Sequence, residues 1–229
     1  MAKKKEAHND VLESSEALAE KLEIAESWIE RHPKIVFGVL GVVLLVVGGY
    51  FGFKYFKDKK DIDAQREMFQ AVYYFESDSV DLALNGDGNN LGFLDIIDEY
   101  GITPAGNLAN FYAGASYLKQ GKYELARLYL EDFSASDLLV QARAYSLIGD
   151  SHMEEQHYTD AASFYNKAAN YEPNKYYTPT YLMKEALAYE KANDTAKAIS
   201  TYQKIIDNYW ESGEYQNARK FKARLESNS

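Results

Sequence analysis

The stretch YAGASYLKQGKYELARLYLEDF, residues 112–133, decides the fold because its pattern recurs twice further along the chain. It aligns with LIGDSHMEEQHYTDAASFYNKA, residues 147–168, and that segment aligns with EALAYEKANDTAKAISTYQKI, residues 185–205. A small residue near the start of each unit sets the phase. These residues are Gly114, Gly149 and Ala186, spaced 35 and 37 apart.

Within each unit, an alanine and then a large residue follow at constant distances. The alanines are Ala126, Ala161 and Ala198, and four positions later come Leu130, Tyr165 and Tyr202. Small residues at a constant phase let two helices approach closely, and the large residues pack over the neighbouring pair. One such unit cannot bury its apolar face alone, so the units are expected to stack into an all-α solenoid.

The period, phase and residue types over 105–212 resemble the tetratricopeptide repeat (TPR), a helix–turn–helix unit of about 34 residues. The segments on either side match the repeat pattern less closely and are interpreted as divergent parts of the same solenoid. Residues 57–104 are expected to form a stalk and a divergent first hairpin: a helix over 63–75, a turn-rich link SVDLALNGDGNN (79–90) and a second helix ending near Gly101. Residues 213–229 carry apolar positions on one face, as a capping helix requires.

Before the repeats, no charged residue occurs from Ile35 to Phe53, a run of 19 residues. As a helix it would measure about 28 Å, close to the thickness of a hydrocarbon core of about 30 Å. A core helix is rarely apolar on every side for so long. A cleaved signal peptide would have a short basic start and small residues at its cleavage site. Residues 34–56 are therefore predicted to be an uncleaved, single-pass transmembrane anchor.

The flanks of the span leave its orientation open. Aromatic residues followed by Lys54, Lys57, Lys59 and Lys60 resemble an interfacial belt. Basic residues are nearly balanced across the span, and a long following domain can translocate regardless of charge. Gly48 and Gly52 could form a helix-packing face, although glycine is common in spans.

The tail, residues 1–33, contains an acidic amphipathic helix predicted over 10–32, with Asp10 and Glu13 as its capping box. Its apolar stripe could dock on a partner helix; the alternative is a helix lying at the membrane interface. The stripe contains Leu18, Leu22, Ala25 and Ile29.

Charge and composition exclude several classes of function. The chain carries a formal net charge of −10, and from Asp61 onward it has 15 basic against 26 acidic residues. This sign disfavours nucleic acid as a partner. The absence of cysteine excludes disulfides, thiolate metal sites and a cysteine nucleophile.

A search for chemistry predicts no enzyme, no cofactor and no metal site. The segment NGDGNN (85–90) lacks the lysine of a phosphate loop and the terminal glutamate of a calcium loop, so it is expected to be a turn. His152 and His157 are five apart, a poor spacing for one helix face, and His152 is expected to pack in the core. No nucleophile–base pair is evident.

What remains is the concave groove, which the first helix of each TPR hairpin lines in this family. The family's groove positions fall on residues that are apolar and weakly acidic, without the lysine and asparagine of the carboxylate-clamp version. They are Leu108, Phe111, Ala115, Leu118, Arg143, Ser146, Asp150, Met153, Thr180, Met183, Leu187 and Glu190.

The layout of tail, span and repeats, together with residues 71–101 and 105–130, resembles the YfgM family of bacterial inner-membrane proteins. The resemblance implies a cytoplasmic N-terminus and a periplasmic TPR domain. It also implies association with the SecYEG translocon and the membrane-anchored chaperone PpiD, near emerging secreted chains. The alternative is a TPR scaffold in another envelope assembly, such as the cell-wall or division machinery.

Overall fold

The computed structural model describes residues 15–137 and 139–227, with side chains from Lys21 onward. The chain divides into two compact units, Met1–Phe56 and Lys57–Ser229. All regular secondary structure in the described residues is helical. The helices are α1 (Ser15–Arg31), α2 (Pro33–Glu76), α3 (Val80–Asn85), α4 (Phe93–Tyr100), α5 (Pro104–Lys119), α6 (Tyr123–Asp132), α7 (Val140–Glu154), α8 (Tyr158–Asn170), α9 (Thr178–Lys191), α10 (Thr195–Asn208) and α11 (Tyr215–Ser227).

The first unit contains α1 and the apolar part of α2. Helix α1 ends at Arg31 and α2 begins at Pro33, where proline's missing N–H costs no hydrogen bond. Helix α2 is long and apolar enough to cross a membrane, and none of its apolar window is buried. Among the described residues, nothing beyond the neighbouring backbone of α2 itself lies within 4 Å of a Cβ placed on Gly48 or Gly52, so their packing role stays a prediction.

The predicted docking stripe of the tail lies on α1. Leu22, Ala25 and Ile29 are exposed, whereas the side chain of Leu18 and the capping box at Asp10 lie outside the described residues. Their role as a docking surface stays a prediction.

The second unit is built from helical hairpins. Helices α5 and α6, α7 and α8, and α9 and α10 pack in antiparallel pairs. At the turn of each pair one residue has a positive φ: Gly121 at 71°, Gln156 at 62° and Asn193 at 59°. These three turns are spaced 35 and 37 residues apart, like the small residues of the repeat. The backbone therefore repeats with the same period as the sequence.

The small residues lie where paired helices touch. A Cβ added to Gly114 would lie 2.5 Å from Leu130 Cγ, and one added to Gly149 would lie 2.6 Å from a ring carbon of Tyr165. Both distances are far below van der Waals contact. In the third pair Ala186 is fully buried, and it belongs to the same core cluster as Tyr202. The prediction that small residues let paired helices approach closely is confirmed. The large residues were predicted to pack over the neighbouring pair, whereas Leu130 and Tyr165 also face the glycine of their own hairpin.

The end of α2, α3 and α4 precede these hairpins. The link 79–90, predicted to be rich in turns, begins with the helix α3, because Ala83 and Leu84 bury against α4 and α5. Its remaining residues, 86–90, form a turn in which the Asp87 carboxylate accepts hydrogen bonds from the backbone N–H groups of Asn89 and Asn90 at 2.8 and 2.7 Å.

Helix α11 closes the other end on α10. Ala218 is fully buried there, and Phe221 and Leu225 pack against the core cluster that contains Tyr202 and Ile205. The last hairpin is thus not left with an open apolar face.

Candidate protein-binding groove

Two clefts open along the first helices of the hairpins. The first has a volume of about 630 Å³ and lies between α2 and α5. Its walls are mostly apolar. They are formed by Gln65, Met68, Phe69, Val72, Tyr73, Glu76, Pro104, Ala105 and Leu108.

The second cleft has a volume of about 540 Å³ and lies among α5, α7 and α9. It is lined by Leu108, Phe111, Tyr112, Leu139, Val140, Arg143, Tyr177, Thr180 and Tyr181. Leu108 lines both clefts, so they adjoin at this residue, and we call them together the groove. Each part is large enough for one or two bulky side chains of a ligand.

The groove presents large apolar side chains to water. Phe69 is 76% exposed, Tyr73 57%, Tyr177 47% and Leu139 41%. Scattered exposed apolar residues are ordinary on a protein surface, but a contiguous set in a concave surface marks a binding site. Covering them with an apolar partner would remove this surface from water at a gain of roughly 25 cal/mol per Å².

Arg143 places a single positive charge in the second cleft. Its side chain is exposed, and within residues 15–137 and 139–227 it forms no ion pair. Burial raises the pKa of the neighbouring Tyr181, while the charge of Arg143 opposes that rise. The phenol therefore stays neutral, and Arg143 can pair with an acidic group on a ligand.

The structure brings four of the residues predicted from the family's groove positions into the second cleft. They are Leu108, Phe111, Arg143 and Thr180. Leu187 is 45% exposed. It lies on α9, more than one helical turn after Thr180 and Tyr181, which line the cleft. These five remain candidates for contact with a ligand.

Other predicted groove residues pack inside the solenoid. Ala115 is only 8% exposed and lies in the core cluster with Leu130 and Ile148. Leu118, Met153 and Met183 are partly buried against core clusters. These four side chains support the walls of the groove, and we do not include them in the proposed binding surface.

Three polar members of the predicted set, Ser146, Asp150 and Glu190, take part in bridges between successive helical elements. Asp150 on α7 accepts a hydrogen bond from the Tyr165 hydroxyl at 2.7 Å and pairs with Lys184 Nζ, whose distances to its two oxygens are 2.8 and 2.9 Å. Lys184 also donates to the Ser146 hydroxyl at 3.1 Å. Burial and the nearby Asp150 charge raise the pKa of Tyr165. Ser146 and Asp150 are thus already paired within the solenoid.

The same bridge recurs one unit later. Glu190 on α9 accepts a hydrogen bond from the Tyr202 hydroxyl at 2.6 Å and pairs with Arg224 on α11. In both bridges the base follows the acid by 34 residues. Glu190 therefore links α9 to the capping helix rather than facing an empty groove.

Several groove residues were not predicted from the sequence. Phe69 and Tyr73 are the clearest, because the sequence pattern predicts only a helix over 63–75 and assigns neither residue to a groove. The core-facing stripe of α2 contains Met68, Val72 and Phe75. The available signal was the spacing of Phe69 and Tyr73, which places them one turn apart on another face of α2.

Comparison with protein families assigns the repeat region. A tetratricopeptide repeat model matches residues 113–175, and a second tetratricopeptide repeat model matches residues 181–212. This chain contains tetratricopeptide repeats. TPR domains are protein–protein interaction modules and are generally non-enzymatic. A search of curated proteins found no match.

The TPR assignment identifies which helix of each hairpin is the first. The helices α5, α7 and α9 are the first helices of their hairpins, and they supply most of the second cleft. The first cleft, by contrast, is lined by residues 65–76 and 104–108, which precede the residues matched by the TPR models.

Proposed function

We propose that this protein is a non-enzymatic, membrane-anchored TPR adaptor whose groove binds exposed apolar segments of other polypeptides. The observation that carries the proposal is the pair of clefts that adjoin at Leu108, in which bulky apolar side chains such as Phe69 and Tyr177 are exposed to water. A segment of an unfolded chain or of a chaperone offers the matching chemistry, namely large apolar side chains on an extended backbone.

We further propose an ancillary role at the Sec translocon. In this role the protein associates with SecYEG and with a PpiD-like anchored chaperone, close to emerging secreted chains. The resemblance to the YfgM family supports this, and so does the single apolar helix that is compatible with an anchor. The same resemblance supports an inner-membrane location, with residues 1–33 in the cytoplasm and the TPR domain in the periplasm.

Membrane anchoring provides the mechanism by which the groove binds its partner. A groove of this size gives a modest affinity by itself. Holding the groove and its partner in one membrane converts binding into an effectively intramolecular event, with an effective concentration that can reach the millimolar range. The TPR domain then needs no high-affinity pocket. This agrees with a groove that offers mainly apolar surface and few polar groups to a ligand.

Photo-crosslinking in native membranes tests the Sec assignment. A photoreactive amino acid is placed at Phe69 or at Tyr177 in the groove, with Leu128, an exposed residue of α6, as the matched control. We expect adducts with SecYEG subunits, the anchored chaperone or nascent secreted chains from the groove positions only. Adducts with cell-wall or division proteins alone would replace the Sec assignment with the scaffold alternative.

A further inference from the structure

The turn between α7 and α8 gathers three side chains of the types that bind transition metals. They are His152, Glu155 and His157, and one potential ligand atom from each lies within 4.8 Å of the others. This cluster is formed by the helix–helix turn of a TPR hairpin and lines neither of the two clefts of the groove.

The backbone of the turn explains why histidines five positions apart meet. Gln156 has a φ of 62°, which reverses the chain, and the His157 N–H donates to the His152 carbonyl at 2.8 Å. His152 lies in the last turn of α7, whereas His157 caps the start of α8. The two imidazole centroids are 6.0 Å apart. Spacing along one helix does not apply here, because the residues belong to two helices.

The His152 ring is held in place and lacks a hydrogen-bond partner for one nitrogen. The ring stacks on Phe164 with centroids 5.3 Å apart, and its Nδ1 is buried with no hydrogen-bond partner among the described residues. Leaving a buried polar atom unpaired costs about 1–3 kcal/mol.

Glu155 is oriented by a neighbouring base. Its Oε2 pairs with Arg127, which also donates to the Ser151 hydroxyl at 2.7 Å. The His157 Nδ1 lies 3.8 Å from the same oxygen. Since a carboxylate has two oxygens, Arg127 can retain Oε2 while Oε1 turns toward an ion between the two rings.

We propose that His152, Glu155 and His157 form a Zn²⁺ site. Two imidazoles and one carboxylate, with no thiolate, suit Zn²⁺, and water completes a tetrahedral shell. The ion joins the end of α7 to the start of α8 and so stabilises the second hairpin of the solenoid. The site does not depend on what the groove binds.

Isothermal titration of the full-length protein in detergent micelles with ZnCl₂ tests the proposal. The affinity tag must contain no histidine. We expect one Zn²⁺ per chain, and affinity weaker by about tenfold or more in His157→Ala and in Glu155→Gln, because loss of a ligand should cost at least as much as loss of a supporting residue. His157 is exposed, with 57% of its side chain in water, so His157→Ala is expected to fold normally, which circular dichroism verifies.

Three matched controls complete the design. Glu154→Gln removes the adjacent exposed carboxylate, while His8→Ala and His32→Ala remove the histidines outside the cluster. All three should bind Zn²⁺ like the wild type. No binding by the wild type, unchanged binding in His157→Ala, or equal losses in the controls would overturn the proposal.

Discussion

At the scale of single residues, the absence of a side chain at Gly114 and Gly149 is what allows the paired helices to touch. Each glycine faces the large residue of its own hairpin, Leu130 or Tyr165, at a distance that leaves no room for a methyl group. A helix interior normally favours alanine over glycine by about 1 kcal/mol. The close packing of each hairpin must therefore offset that cost.

Gly149→Ala tests this packing. The added Cβ would meet the Tyr165 ring at 2.6 Å, and the overpacked hairpin should lose about 1–3 kcal/mol of stability despite alanine's higher helix propensity. Urea denaturation followed by circular dichroism measures the change. Gly213→Ala is the matched control because nothing lies within 4 Å of its added Cβ. Equal stability of the two variants would refute the packing argument.

A second residue-scale feature is a carboxyl group buried in the third hairpin. Glu185 is 2% exposed, and its Oε2 has no hydrogen-bond partner among the described residues. Asn166 donates to the other oxygen at 3.0 Å. Burial raises the pKa of Glu185, and the effects of Asn166 and Lys204 in the opposite direction are smaller. The folded state therefore prefers the protonated carboxyl.

The sign of this shift predicts a pH dependence. A carboxyl whose pKa is raised by folding stabilises the folded state below its unfolded pKa, about 4.3, and that contribution is lost as pH rises through the folded value. Glu185→Gln mimics the protonated form. It should have a higher melting temperature than the wild type at pH 7, and the difference should vanish below about pH 4.3. A lower melting temperature for the variant at pH 7 would show that the charged form is favoured.

At the scale of secondary-structure elements, successive hairpins are joined by polar bridges as well as by apolar packing. In each bridge, an acidic residue on the first helix of a hairpin accepts a hydrogen bond from a tyrosine of the same hairpin. The same acidic residue also forms an ion pair with a basic residue 34 positions later in the chain. Asp150, Tyr165 and Lys184 form the first bridge, and Glu190, Tyr202 and Arg224 form the second. This arrangement fixes the register of one hairpin against the next.

A double-mutant cycle on Lys184→Met and Asp150→Asn measures the first bridge. The two side chains are 31% and 28% exposed, so solvent screening limits their coupling energy, which we expect to be about 1 kcal/mol. The local pair Lys222–Glu226 within α11 is the control, and its expected coupling is about 0.3–0.5 kcal/mol. A smaller coupling energy in the bridge than in this control would contradict its role in joining hairpins.

The sequence predicts the elements better than it predicts their surfaces. A constant phase of small and large residues specifies where helices pair, since that contact is local and repeats in each unit. Whether Asp150 faces a ligand or a neighbour depends on Lys184, which lies in the next repeat, so the pattern within one repeat does not decide it. Likewise, α3 forms because Leu84 is buried against α4 and α5. This is a tertiary contact, and the turn-forming residues around α3 give no sign of it in the sequence.

At the scale of the whole molecule, the proposal requires that the apolar part of α2 spans the membrane and that the TPR domain lies in the periplasm. The basic residues that flank the span do not decide its orientation. Asn9→Cys and Asn228→Cys each introduce a single thiol into a chain without cysteine. In spheroplasts, which lack the outer membrane but keep the inner membrane intact, a membrane-impermeant maleimide should label position 228 and not position 9. The reverse pattern would place the TPR domain in the cytoplasm and exclude contact with emerging secreted chains.

The central claim is that the groove from Phe69 to Tyr177 binds apolar polypeptide segments. Fluorescence anisotropy of a labelled, permanently unfolded polypeptide tests it, with the full-length protein in nanodiscs because detergent would compete for the groove. Phe69→Ser combined with Tyr177→Ser should weaken binding by about tenfold or more, equivalent to about 1.4 kcal/mol. Leu125→Ser combined with Leu128→Ser removes comparably exposed apolar residues from α6 and should leave affinity unchanged. Equal affinity in the groove variant and the wild type, or an equal loss in the α6 control, would contradict the claim.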